Sequence, residues 1–152
     1  ILDVASGVSS FCAEANAKGY KVTASDKIYN SSIQEIEHKC KQDLDMVLSQ
    51  LPGIVDLYVW NFFRDIRALK AQREKAYKLF TEDFKKYGTK RYIPVEYPAA
   101  GFIDNQFTVS LVSHFLFLYD DLINYDLHKK IISELLRITS KEIRIFPVVN
   151  LK

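Results

Sequence analysis

The feature that most constrains this chain is its opening, Ile1-Leu2-Asp3-Val4-Ala5-Ser6-Gly7-Val8-Ser9-Ser10-Phe11. An apolar run carrying one acid passes through small residues into a helix-forming segment, which reads as strand, tight loop and helix start. Such a junction brings free backbone N–H groups to one point just beyond the strand's carboxyl edge. Ala5, Ser6 and Gly7 leave the backbone open to close approach. Asp3 sets a carboxylate beneath the loop, which suits a ligand carrying an amino group or hydroxyls. A phosphate cradle needs Lys or more glycine at these positions.

The rest of the chain alternates between strand and helix patterns. Ser9 or Ser10 is placed to cap a short helix to about Lys18, with Gly19 at its end. Tyr20 to Ser25 reads as a second strand with Asp26 at its tip. Ser32-x-x-Glu35 is a capping box for a helix with Ile33, Ile36, Cys40, Leu44 and Val47 on one face, stopped by Pro52-Gly53. The aromatic-rich run Leu57 to Phe63 precedes a long amphipathic helix marked by Ile66, Leu69, Ala76, Phe80, Phe84 and Tyr87, and Gly88 is suited to cap it. Arg91 to Tyr97 is a strand in which Pro94 argues for a sheet edge. Phe107 to Ser113 is nearly continuous in apolar residues and therefore central. A helix from Tyr125 to Ile138 leads into the alternating strand Glu142 to Val149. This order predicts an α/β fold with a parallel sheet covered on both faces.

A chain of 152 residues suffices for one domain with a sizeable core, and 48% apolar with 26% charged residues is ordinary globular composition. The net charge of +2 selects no partner. Cys12 and Cys40 lack metal-ligand spacing and read as small buried hydrophobes of a reducing, cytoplasmic setting. No apolar stretch is long enough to span a bilayer. The chain opens inside one strand and stops just after another, as an internal piece of a longer protein would.

Asp3-x-Ala5-x-Gly7-x-Ser9-Ser10-Phe11, followed by Val22-Thr23-Ala24-Ser25-Asp26, resembles the first two motifs of class I S-adenosylmethionine-dependent methyltransferases. Asp26 lies 23 residues after Asp3, which fits one strand–helix–strand unit. The usual loop is acid-x-Gly-x-Gly-x-Gly; Ala5 and Ser9 stand here for its first and third glycines. The resemblance extends through Glu96, Phe107 to Tyr119 and the strand Ile143 to Val149, and omits about Val47 to Lys90. It implies a doubly wound, mostly parallel Rossmann-like sheet of strand order 3-2-1-4-5-7-6 with helices on both faces. Strands six and seven would lie beyond Lys152, so that the domain is truncated after the fifth strand, and residues 47–90 would be a helical insertion before the third. It further implies S-adenosylmethionine as cofactor and methyl transfer to an unidentified acceptor, a small molecule being favoured.

The resemblance also gives the residues roles. Asp3 would anchor the loop Ala5-Ser6-Gly7 and, through it or a water, the methionine amino group, or would simply brace the turn. Asp26 would accept both ribose hydroxyls, against the plainer reading of a turn residue after a strand. Glu96 would accept the adenine amino group, with Tyr97 aiming its backbone N–H at the ring; an exposed strand-end Glu is the competing reading. Ser113 and His114 would sit at the fourth-strand exit near the transferred methyl group. An imidazole titrates near neutrality, so His114 is a candidate base, or a hydrogen-bond partner of the loop. Thr108 stands where the family commonly has Asp.

Phe115, Phe117 and Tyr119 read as core, and His38 and His128 as surface residues on helices. Trp60, Phe62 and Phe63 beside Tyr58 are suited to a lid or substrate wall. The basic residues Arg64, Arg67, Lys70, Arg73, Lys75, Lys78, Lys85 and Lys86 are interleaved with Asp65, Glu74, Glu82 and Asp83, which makes a solvated helix face a better reading than nucleic acid binding. The Asn/Asp-Pro-Pro-aromatic signature of enzymes that methylate amino groups of nucleic acids and the Pro-Cys of cytosine-C5 enzymes are both absent. Two other classes remain: a catalytically silent Rossmann-like binding module, and a nicotinamide-dinucleotide binder, whose Gly-x-Gly-x-x-Gly fingerprint is not met.

Overall fold

The computed structural model describes residues 1–57, 59–118 and 123–149. Tyr58 and Tyr119, named above, lie outside the described residues. Five strands form one sheet in the order β3-β2-β1-β4-β5, every neighbouring pair parallel. They are β1 (Leu2–Val4), β2 (Thr23–Ser25), β3 (Tyr92–Ile93), β4 (Phe107–Ser113) and β5 (Thr139–Phe146). The helices are α1 (Phe11–Ala17), α2 (Ile33–Gln50), α3 (Ile66–Tyr87) and α4 (Tyr125–Ile138). The fold is therefore the expected α/β, Rossmann-like one, and Pro94 does mark an edge strand.

Strand alternation divides the core in two. Leu2 and Val4 face α4, where they meet Val112, Ile131, Leu135 and Ile138. The register pairs Asp3 with Ala24, whose side chain lies among Cys12, Ala15 and Phe80 on the opposite face, so Asp3 points toward α1 and α3. On that face Tyr29, Phe80, Phe84 and Tyr92 form an aromatic cluster with ring centroids 5.4–6.0 Å apart. Phe80 is wholly buried in it, so α3 covers the sheet as a core helix of the β2-to-β3 crossover.

Local signals explain most boundaries. Ser32 and Glu35 make the capping box in full, with Glu35 N–H donating to Ser32 Oγ at 3.3 Å and Ser32 N–H to Glu35 Oε2 at 2.7 Å. Asp65 caps α3 by accepting from Ala68 N–H at 2.8 Å. Cys12 and Cys40 are buried and free.

The structure corrects the bounds of three strands and the setting of one side chain. β2 begins at Thr23 rather than Tyr20, because the Asn16 side chain donates to the Val22 carbonyl at 2.9 Å and holds that residue outside the ladder. β3 is only Tyr92–Ile93; past it Val95 N–H still donates to the Asp26 carbonyl at 3.3 Å, Pro94 stands where an N–H would face the open edge, and Glu96 sits beyond the strand in an isolated bridge to Ala99. β5 runs from Thr139 to Phe146 rather than from Glu142 to Val149. The side chains of Ser110 and Thr139 bond at 2.6 Å and draw the strand's start back to the end of α4, while Pro147 closes it. His38 is exposed as expected, but His128 is only 9% exposed. Its Nε2 accepts the Phe117 N–H at 3.0 Å, which leaves Nδ1–H to donate to the Asn124 carbonyl at 3.0 Å. Both ring nitrogens are thus satisfied by the backbone of the connection that a surface histidine would have ignored.

Because Phe80 has no exposed surface and three aromatic neighbours, Phe80→Ala should cost about 3–5 kcal/mol of stability. Urea unfolding followed by circular dichroism measures it, and a loss below about 1 kcal/mol would mean that α3 does not hold the sheet.

Candidate functional site

β1 pairs with β2 on one side and β4 on the other, so the chain leaves its carboxyl end at the point where the strand order reverses. A cavity of about 800 Å³ opens there. Of the residues anticipated from the sequence, Ala5, Gly7, Asp26, Glu96, Tyr97 and His114 line it. Asp3, Ser6 and Ser113 do not; Asp3 is buried under the loop, Ser6 turns toward Tyr29, and Ser113 stands beside His114.

The loop is held from several directions. Ala5 and Gly7 both adopt left-handed backbone, φ +50° and +55°. That conformation suits Gly7 and is uncommon for Ala5, whose place in the usual motif is a glycine. Ser6 N–H donates to the Ser25 carbonyl at 3.1 Å, tying the loop to the end of β2. Asp26 accepts Gly7 N–H on Oδ2 and Ile28 N–H on Oδ1, both at 2.9 Å. It therefore anchors the loop and caps the 3-10 turn Lys27–Asn30 together. α1 is a seven-residue helix whose first N–H, that of Phe11, is taken by Ser9 Oγ at 3.1 Å.

Tyr97 lines the cavity and also braces it. Its hydroxyl bonds Ser25 Oγ at 2.8 Å, and Ser25 Oγ donates to the Asp3 carbonyl at 3.2 Å. Burial raises the Tyr97 pKa and keeps the phenol neutral. His114 holds an uncommon φ of +54° beside the cavity. Its backbone N–H donates to the Phe146 carbonyl at 2.7 Å, its Nδ1 bonds Ser113 Oγ at 2.9 Å, and its ring stands edge-on to Phe146 with centroids 5.5 Å apart.

Asp3 is the electrostatic oddity. It is 6% exposed, and its Oδ2 is the buried side-chain oxygen that lacks a hydrogen-bond partner among the described residues. Burial first, and then the nearby Asp26 carboxylate, push its pKa up to about 7.

Sequence reading missed the wall formed by Val95, Phe115, Ile123, Leu127 and Ile131, and the lysines Lys27 and Lys39 at the cavity. Leu127 and Ile131 stand four apart on the apolar stripe of α4, so a signal existed in that the stripe continues past the part covering the sheet. Lys39 carried no signal, being one charged residue among many on α2. Tyr29, which binds the loop, was legible only as an aromatic residue three positions after Asp26.

Over 153 aligned residues the chain is 56% identical to the uncharacterized protein MJ0045 of Methanocaldococcus jannaschii, a match covering 100% of this chain and 68% of that protein. The chain belongs to the family of that archaeal protein. No family model matches it, and no solved structure matches it. Among the described residues no helix is long and apolar enough to cross a membrane, and no His, Cys, Asp and Glu group is arranged to hold a metal ion.

The Asp3 geometry has a measurable consequence. Its folded pKa of about 7 lies above the ordinary aspartate value of 3.8, so the unfolded chain gives up this proton first as pH rises. Stability from this group is therefore full below about pH 4 and is lost as pH climbs from there to about 7, by an amount on the order of 4 kcal/mol. Asp3→Asn should raise the melting temperature by several degrees at pH 8 and by little at pH 4. Equal effects at both pH values in a thermal melt would show that Asp3 is not the source.

Proposed function

We propose that this domain binds S-adenosylmethionine in the cavity and transfers its methyl group to a small-molecule acceptor. What supports the reading above all is the convergence, at one switch point, of the Ala5–Gly7 loop, Asp26 and the Glu96–Tyr97 segment around a single space of about 800 Å³. A ligand made of an amino acid, a ribose and a purine needs an approachable loop, a carboxylate for two neighbouring hydroxyls and an acceptor for a ring amino group. Those three stand here at the ends of β1, β2 and β3 in turn. The volume is within the range of small-molecule sites.

The residues present fit such a group. A carboxylate offers about four acceptor positions, and Asp26 gives two of its own to backbone N–H groups. Its remaining capacity is available to hydroxyls. Gly7 lines the cavity, and a Cβ there would meet nothing within 4 Å. A ligand carrying positive charge would also offset the buried negative charge of Asp3.

When bound, S-adenosylmethionine supplies an electrophilic methyl carbon on a positively charged sulfur. The chain's own residues align the reactants and exclude water. Phe115, Ile123, Leu127 and Ile131 provide an apolar wall, and alignment with desolvation is a large part of what an in-line displacement requires. In the tautomer whose Nδ1–H donates to Ser113 Oγ, His114 Nε2 is the acceptor for a proton from a hydroxyl or amine substrate. Both cysteines are buried and free, in keeping with the cytoplasmic setting that this reading assumes.

Titration calorimetry tests the proposal. The chain should bind S-adenosylmethionine and S-adenosylhomocysteine and ignore NAD. Asp26→Asn should raise the Kd for either sulfur nucleoside at least tenfold, because charge-assisted bonds worth about 1.5–3 kcal/mol each are weakened. Binding of NAD with no response to the sulfur nucleosides would reject the reading.

A further inference from the structure

Gly7 lines the cavity and has almost no freedom in its own peptide groups. Its N–H donates to Asp26 Oδ2 at 2.9 Å, and its carbonyl accepts the Tyr29 hydroxyl at 2.7 Å. Both holds come from one short element. Asp26 caps the 3-10 turn Lys27–Asn30, and three residues complete about one turn of such a helix, which returns Tyr29 to the side from which Asp26 reaches.

A phenol has a single hydrogen. Since Tyr29 gives it to the Gly7 carbonyl, the 2.5 Å contact between Tyr29 Oη and Ser6 Oγ has Ser6 as the donor. The bonds therefore run in one direction, from the Ser6 hydroxyl to the Tyr29 hydroxyl to the Gly7 carbonyl, each strengthening the next. Packing does not account for this hydroxyl. The Tyr29 ring is 6% exposed and lies with centroids 6.0, 5.7 and 5.4 Å from Phe80, Phe84 and Tyr92, contacts that a phenylalanine would make equally well. Burying a phenol oxygen carries a desolvation cost that its two bonds offset.

We propose that Tyr29 is a positioning residue, whose hydroxyl, acting with Ser6 and Asp26, fixes the Gly7 peptide and so sets how tightly the Ala5–Gly7 loop holds the ligand of the cavity. The choice of S-adenosylhomocysteine as probe rests on the function proposed above; the clamp on Gly7 does not.

Tyr29→Phe removes one oxygen and keeps the ring in its cluster. Two measurements on the whole chain decide the matter, both at a temperature where wild type and variant are fully folded. In the ligand-free protein, hydrogen exchange at the Ser6, Gly7 and Val8 amides should become at least tenfold faster, while the Val4 and Ala24 amides keep their rates. By calorimetry the Kd for S-adenosylhomocysteine should rise about tenfold. Ser6→Ala should weaken binding similarly, and the double variant should be little worse than either single one, because the two hydroxyls form one chain of bonds. A lowered melting temperature with unchanged loop exchange and unchanged Kd would assign the hydroxyl to stability alone and overturn the proposal. Faster loop exchange with an unchanged Kd would overturn it too. If the wild type does not bind the probe, the functional reading fails, and loop exchange alone then upholds or overturns the role of Tyr29.

Discussion

The two-sided pairing of β1 is the constraint from which the rest follows. A strand of three residues has few backbone groups, and here they are engaged by β2 on one side and β4 on the other. Its side chains are buried on both faces. The chain can leave such a strand only at its carboxyl end, in the gap between neighbours whose crossovers run to opposite sides of the sheet. Everything gathered at the cavity is there because β1 delivers it: the loop directly, Asp26 through the adjacent register, and His114 through β4.

The same strand carries an internal conflict. Leu2 and Val4 serve the core, and between them stands a carboxylate with one unpartnered oxygen. An apolar or amide side chain would suit the folded state better at neutral pH. Proteins tolerate such a group where it serves something other than folding, and a strained Ala5 two residues after it belongs to the same pattern. Local rules of sequence and structure fail most often at sites of function, and two failures occur here within three residues.

That pattern bears on what could be read from the sequence. The capping box at Ser32, the helix Tyr125–Ile138, the edge position marked by Pro94 and the parallel sheet all rest on local chemistry, and each stands as read. Strand ends were less legible because they depend on distant partners. Nothing near Tyr20 tells that Asn16 will occupy the Val22 carbonyl, and nothing near Glu142 tells that Thr139 will find Ser110. At the cavity, six of the nine anticipated residues come together at its wall because the strand–loop–acid spacing encodes sheet geometry. Tyr29 and His128 escaped for a different reason. Each acts on backbone groups far along the chain, Gly7 for one and Phe117 for the other, and a side chain's reach for a peptide group leaves no periodic trace.

The contact of His114 with β5 ties the cavity to the outer margin of the sheet. The peptide N–H of His114 rests on the carbonyl of Phe146, the last residue of an edge strand whose outer side has no neighbour among the described residues. Phe146 also presses its ring against the imidazole and leaves most of its own surface in solvent. One backbone hydrogen bond and one ring contact thus join the open margin of the sheet to the imidazole in the cavity wall.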